Sequence, residues 1–111
     1  MRLSDFEIRT IQTLGKKHFG SESRVFLFGS KVDDSLKGGD IDLFVSSEDT
    51  SYLNIENKIR FLVDLKRTIG DRKIDLVLDT ASARRRESFY NTILLSRIEL
   101  TNIEQIKNEL V

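Results

Sequence analysis

The sequence predicts a mixed α/β (α+β) layer fold, a small mixed β-sheet flanked by helices, and three observations carry that expectation. Residues 24–28, 41–45 and 73–78 are short runs rich in β-branched and aromatic side chains, the composition of strands. The intervening stretches place apolar residues at helical spacing. The resulting order, helix, strand, strand, helix, strand, helix, is the alternation of layered α/β proteins.

Each element has its own signal. Ser4 and Glu7 form a capping box that opens a first helix over residues 4–19. Ile8, Ile11, Leu14 and His18 follow helical spacing there, and Gly20 ends it. The first strand stops at Gly29. A second helix carries Ile55, Ile59, Leu62, Val63 and Ile69 and ends before Gly70. Residues 86–97 read as a helix with Phe89, Tyr90, Ile93 and Leu94 on its apolar side. Residues 98–100 form a short extended piece. Thr101 and Glu104 make a second capping box, opening a final helix with Ile103, Ile106 and Leu110.

Composition narrows the functional classes. The 111 residues suit one domain, 1–111, with no linker, repeat or proline. There is no cysteine and one histidine, which excludes a disulfide framework and a thiolate site and leaves little for zinc. Metal binding would therefore use oxygen ligands, as magnesium and manganese prefer. Lys plus Arg equals Asp plus Glu at 18 each, so direct nucleic-acid binding is not expected from charge. No apolar run approaches the roughly 20 residues of a membrane span, and the first residues lack an apolar signal core. A cytoplasmic, membrane-free protein is expected.

The strands contain carboxylates where strands disfavour them. Asp40 and Asp42 flank Ile41, and residues two apart share a face about 6–7 Å apart along a strand. Asp75 sits between Ile74 and Leu76 in the same way. Buried and unpaired, such groups are costly. Two readings stand. The aspartates are the solvent face of half-exposed strands, or they converge on one or two divalent cations, as in two-metal phosphoryl-type transfer. Gly29 and Ser30 follow the first strand directly. Glycine permits close backbone approach to a ligand. The amides that follow, the Ser30 hydroxyl and Lys31 could cradle phosphates, although an ordinary turn explains Gly-Ser alone.

Taken together, Phe28-Gly29-Ser30, a short loop, and Gly39-Asp40-Ile41-Asp42-Leu43 resemble the signature of the DNA polymerase beta-like nucleotidyltransferase superfamily. The small size resembles its minimal nucleotidyltransferase branch, often paired with a HEPN-domain protein. Lys73 to Val77 resembles the family's third-aspartate strand. The resemblance implies the polymerase beta-like nucleotidyltransferase fold and two Mg²⁺ ions, or Mn²⁺, held by Asp40, Asp42 and Asp75. It implies Gly29, Ser30 and Lys31 against the phosphates of ATP or another NTP. It further implies transfer of AMP to a HEPN partner protein in a hetero-oligomer, as the antitoxin of a toxin–antitoxin pair. A binding-only antitoxin and a transferase acting on a small molecule are the competing readings. The loop 31–39 is one residue shorter than usual in the branch and carries Asp33 and Asp34.

Outside that pattern, Arg84, Arg85 and Arg86 form the sole basic run, read as a solvated helix entrance or a contact for an acceptor, RNA or partner. Positive charge at a helix N-terminus is mildly unfavourable. His18 is expected to serve the end of its helix or the core rather than catalysis.

Overall fold

The computed structural model describes residues 3–29 and 40–100. The expectations for Ser30, Lys31, the rest of the loop 31–39 and the final helix lie outside the described residues.

The chain begins with helix α1, Asp5–Phe19, whose capping box is formed as expected. The Glu7 amide donates to the Ser4 hydroxyl at 3.1 Å, and the Ser4 amide donates to the Glu7 carboxylate at 2.9 Å. Gly20 closes the helix with a φ of 95°. Strand β1, Ser23–Leu27, runs into strand β2, Ile41–Ser47, as an antiparallel pair. A 3-10 turn at Thr50–Tyr52, which the sequence reading did not anticipate, leads to helix α2, Ile55–Ile69, capped by the Asn54 side chain. Strand β3, Ile74–Leu78, then pairs parallel to β2.

A short helix α3, Ala81–Arg85, which the sequence reading did not anticipate, comes next. The helix expected over 86–97 follows as α4, Glu87–Ser96, with Arg86 and Arg97 as its caps. The basic run thus closes α3 and, at Arg86, stands at the entrance of α4. Arg84 and Arg85 lie in the last turn of α3, where cations oppose the carbonyl end of the dipole favourably. Strand β4, Ile98–Glu99, returns to pair antiparallel with β1. The sheet order is β3-β2-β1-β4.

Alternation along the strands gives the sheet two apolar faces. Val25, Leu27, Ile41, Leu43, Val45, Ile74, Leu76 and Leu78 share a core with Ile8, Ile11 and Phe19 of α1 and Phe61 and Leu65 of α2. Phe26, Phe28 and Phe44 turn the other way and pack with Ile93 of α4, joined by Val77, Phe89 and Tyr90. Helices thus cover both faces, and the four-strand mixed sheet matches the expected fold class. His18 serves a structural role, as anticipated. Its Nε2 lies 2.7 Å from the Asp64 carboxylate of α2, and its ring meets Phe61 edge-on. No helix among the described residues is long and apolar enough to cross a membrane.

Candidate functional site

Asp42 and Asp75 occupy equivalent second positions in neighbouring parallel strands, and the register pairs them directly. In-register residues of adjacent strands project to the same face. Here it is the face of Phe44 and Val77 rather than that of Leu43 and Leu76. Two carboxylates thus stand side by side at one end of the β2–β3 ladder, with apolar residues below them holding the strands.

The end of β1 closes on this pair. The Phe28 amide donates to the Asp42 carbonyl at 3.1 Å, continuing the β1–β2 ladder past Leu27. Gly29 follows with a φ of 71°, in the left-handed region that L side chains rarely adopt. A Cβ on Gly29 would lie 2.8 Å from Asp42 Oδ2. Glycine is therefore required twice over, for the turn and for the space that the carboxylate fills.

Asp40 stands apart from this pair. It precedes β2, its side chain is half exposed, and its Oδ2 lies 4.0 Å from Lys73 Nζ. Among the described residues no three His, Cys, Asp or Glu side chains gather closely enough to hold a metal ion. The structure therefore brings Asp42, Asp75 and Gly29 together and leaves Asp40 at the rim. The donors are all carboxylate oxygens, a set that suits a hard cation and not a soft one.

A hollow of about 530 Å³ opens beside the carboxylates, lined by Phe28, Asp42, Lys58, Ile74, Asp75 and Phe89 among others. Phe28 and Phe89 meet edge-to-face at 6.3 Å, and the Arg86 guanidinium covers Phe89 at 4.3 Å. Phe89 was read in the sequence only as part of the apolar side of its helix, and Lys58 was not singled out there.

A second polar centre escaped the sequence reading altogether. Asp79, just past β3, accepts from Arg84 Nε at 2.9 Å and from the Tyr90 hydroxyl at 3.0 Å. The hydrogen bond to Asp79, and then its charge, raise the Arg84 guanidinium further above its ordinary range. This network ties β3 to α3 and α4 at the strand end away from Asp75. Arg84 is thus held by a structural contact.

Paired carboxylates at the ends of parallel strands, beside a left-handed glycine and on a sheet covered by helices, define an α/β protein with a candidate site at a strand-end cleft. Residues 8–110 match the nucleotidyltransferase domain family, and the chain belongs to it. A similar solved structure is described as the crystal structure of a toxin-antitoxin with AMP-PNP. It shares 21% identity, with 93% of this chain and 79% of that chain covered and a TM-score of 0.64. At that identity the likeness shows a shared fold. No curated protein matches the chain.

Proposed function

We propose that the chain transfers a nucleoside monophosphate, AMP from ATP, to a hydroxyl of a HEPN-domain partner protein, acting as the antitoxin of a toxin–antitoxin pair. The observation that carries the reading is the in-register Asp42–Asp75 pair beside Gly29. Membership of the nucleotidyltransferase domain family supports transferase chemistry. The fold shared with a toxin–antitoxin structure containing AMP-PNP supports the nucleotide and the partner protein.

In this reading Asp42 and Asp75 would hold Mg²⁺, with Asp40 as the third carboxylate. When bound, the cation supplies positive charge that offsets the triphosphate and makes the acceptor hydroxyl more acidic. The chain's own contribution is positioning and charge. Gly29 lets the backbone come close to the phosphates, and Ser30 and Lys31, which follow it in the sequence, would contribute a hydroxyl and a positive charge. Asp75 takes the hydroxyl proton. The acceptor oxygen bonds to the α-phosphorus, the α–β bridging bond breaks, and pyrophosphate leaves with the bonding electrons.

One observation favours a second reading, a binding-only antitoxin: Asp40 is engaged by Lys73 and does not join the other two carboxylates. Labelled NTPs, Mg²⁺ and the HEPN partner separate the two. Asp42→Asn is expected to lose roughly 10²–10³-fold in transfer, the scale for removing a transition-state charge stabiliser. It should also lose binding of Mn²⁺ followed by paramagnetic relaxation. Absence of label from every NTP, with tight partner binding by both proteins, would establish the second reading.

A further inference from the structure

Strand β3 lies at one end of the sheet order β3-β2-β1-β4, so its outer side has no strand partner among the described residues. The Lys73 carbonyl accepts from Ile41 at 2.9 Å, and the Asp79 amide donates to Val45 at 2.8 Å. Odd-numbered residues of β3 thus turn their backbone groups toward β2. By alternation the amide and carbonyl of Leu76 face outward. The strand has no proline, and its register with β2 runs without a bulge from Ile74 to Leu78, so two of the usual guards of a sheet edge are missing.

A groove follows this edge. The hollow beside the carboxylates shares Lys58, Leu76 and Val77 with a second hollow of about 600 Å³ that continues past Ile55 and Thr80 to Arg86. Apart from Asp42 and Asp75 at its head, the charged residues lining it are Lys58 and Arg86, both cations. Ile55 adds an apolar side chain that is 67% exposed. The lining is complementary to an acidic, apolar segment.

We infer that the free edge of β3 is the docking ledge for the protein acceptor, which binds as an extended acidic and apolar segment added to the sheet and thereby places its hydroxyl beside Asp75. Strand addition draws affinity from backbone hydrogen bonds and specificity from alternate side chains. A residue directly opposite Asp75 on an added strand projects to the same face, with its Cβ about 4.5–5.5 Å from that of Asp75. A serine, threonine or tyrosine there presents its oxygen at the carboxylate pair. The inference deepens the protein-acceptor reading and rests on it for the chemistry, but docking has its own readout.

The probe is a synthetic octapeptide of alternating valine and glutamate with one central tyrosine, added at millimolar concentration to the full chain. Amide exchange by NMR reads docking, and label from ATP reads chemistry. Slowing of the Leu76 amide by at least tenfold, lost when the edge-facing peptide amides are N-methylated, is the expected result. Arg86→Glu should weaken this peptide and admit a lysine-for-glutamate version instead. Protection of Leu76 without label would uphold the ledge and overturn the placement of the acceptor hydroxyl beside Asp75. No protection of Leu76, or equal protection by the N-methylated peptide, would overturn the ledge even if the chain labels a partner protein.

Discussion

Replacing Gly29 with alanine separates backbone strain from damage to the carboxylate pair, because Gly70 supplies an internal control. Both glycines have positive φ, 71° at Gly29 and 100° at Gly70. A Cβ at Gly70 meets nothing within 4 Å, whereas one at Gly29 comes within 2.8 Å of Asp42 Oδ2. Each alanine should cost about 1–3 kcal/mol for an L residue held at positive φ. For a chain of this size that lowers the melting temperature by roughly 5–15 °C. Only at Gly29 must a functional side chain also move, and a displacement of about 1 Å in a reacting group can cost about 10²-fold in rate. The assay is thermal melting of Gly29→Ala and Gly70→Ala beside nucleotidyl transfer and Mn²⁺ binding at a temperature where both stay folded. Melting losses in both variants, with transfer abolished only in Gly29→Ala, are expected. If Gly29→Ala transfers and binds Mn²⁺ like Gly70→Ala, Gly29 is a turn residue alone and the packing argument fails.

Other outcomes follow from the same geometry. A Cβ on Gly15 of α1 would lie 2.8 Å from Val25 Cγ2, so Gly15→Ala should cost about 1–3 kcal/mol by overpacking. In a Val25→Ala background much of that cost should disappear, a coupling that a double-mutant cycle in urea measures. Phe44 is fully buried between Phe26 and Tyr90, and Phe44→Ala should cost about 3–5 kcal/mol by denaturant melting. The hydrogen bond from His18, and then that from Lys17, hold the Asp64 carboxyl below its ordinary 3.8. A depressed folded value stabilises above the unfolded one and is lost as pH falls through the folded one. The stability gap between wild type and Asp64→Asn should therefore be full at pH 6 and shrink below about pH 4.

Much of the scaffold was legible because its signals are local. Ser4 and Glu7 sit three apart, and Gly20 and Gly70 stand where their helices end. The apolar runs around Phe26, Leu43 and Leu76 are strands within a residue or two of expectation. The helix expected over 86–97 was legible as well, since Phe89, Tyr90 and Ile93 keep helical spacing. Thr50–Tyr52 and α3 are each too short to show a period. The site was legible in part. Asp42 and Asp75 were singled out as carboxylates in apolar strands, but their direct pairing depends on a parallel register that spacing along the chain does not encode. Asp79 resembles any acid after a strand. Its role depends on Arg84 five residues on and Tyr90 eleven residues on, which only packing brings together.

The parallel ladder has a consequence for how such a chain can vary. Asp42 and Asp75 are aligned by β2 and β3 alone, and Gly29 is held to Asp42 by the last rung of β1. Gly29 and Ile41 are thus fixed by strand pairing, so residues can be gained or lost between them in the sequence without sliding one carboxylate past the other. A slip of one residue anywhere in the 41–45 and 74–78 pairing would instead turn one aspartate to the opposite face. Alignment of the acids and the length of the neighbouring loop are thus separate variables. A change in the number of residues between the Gly29 and Ile41 anchors leaves the floor of the cleft in register.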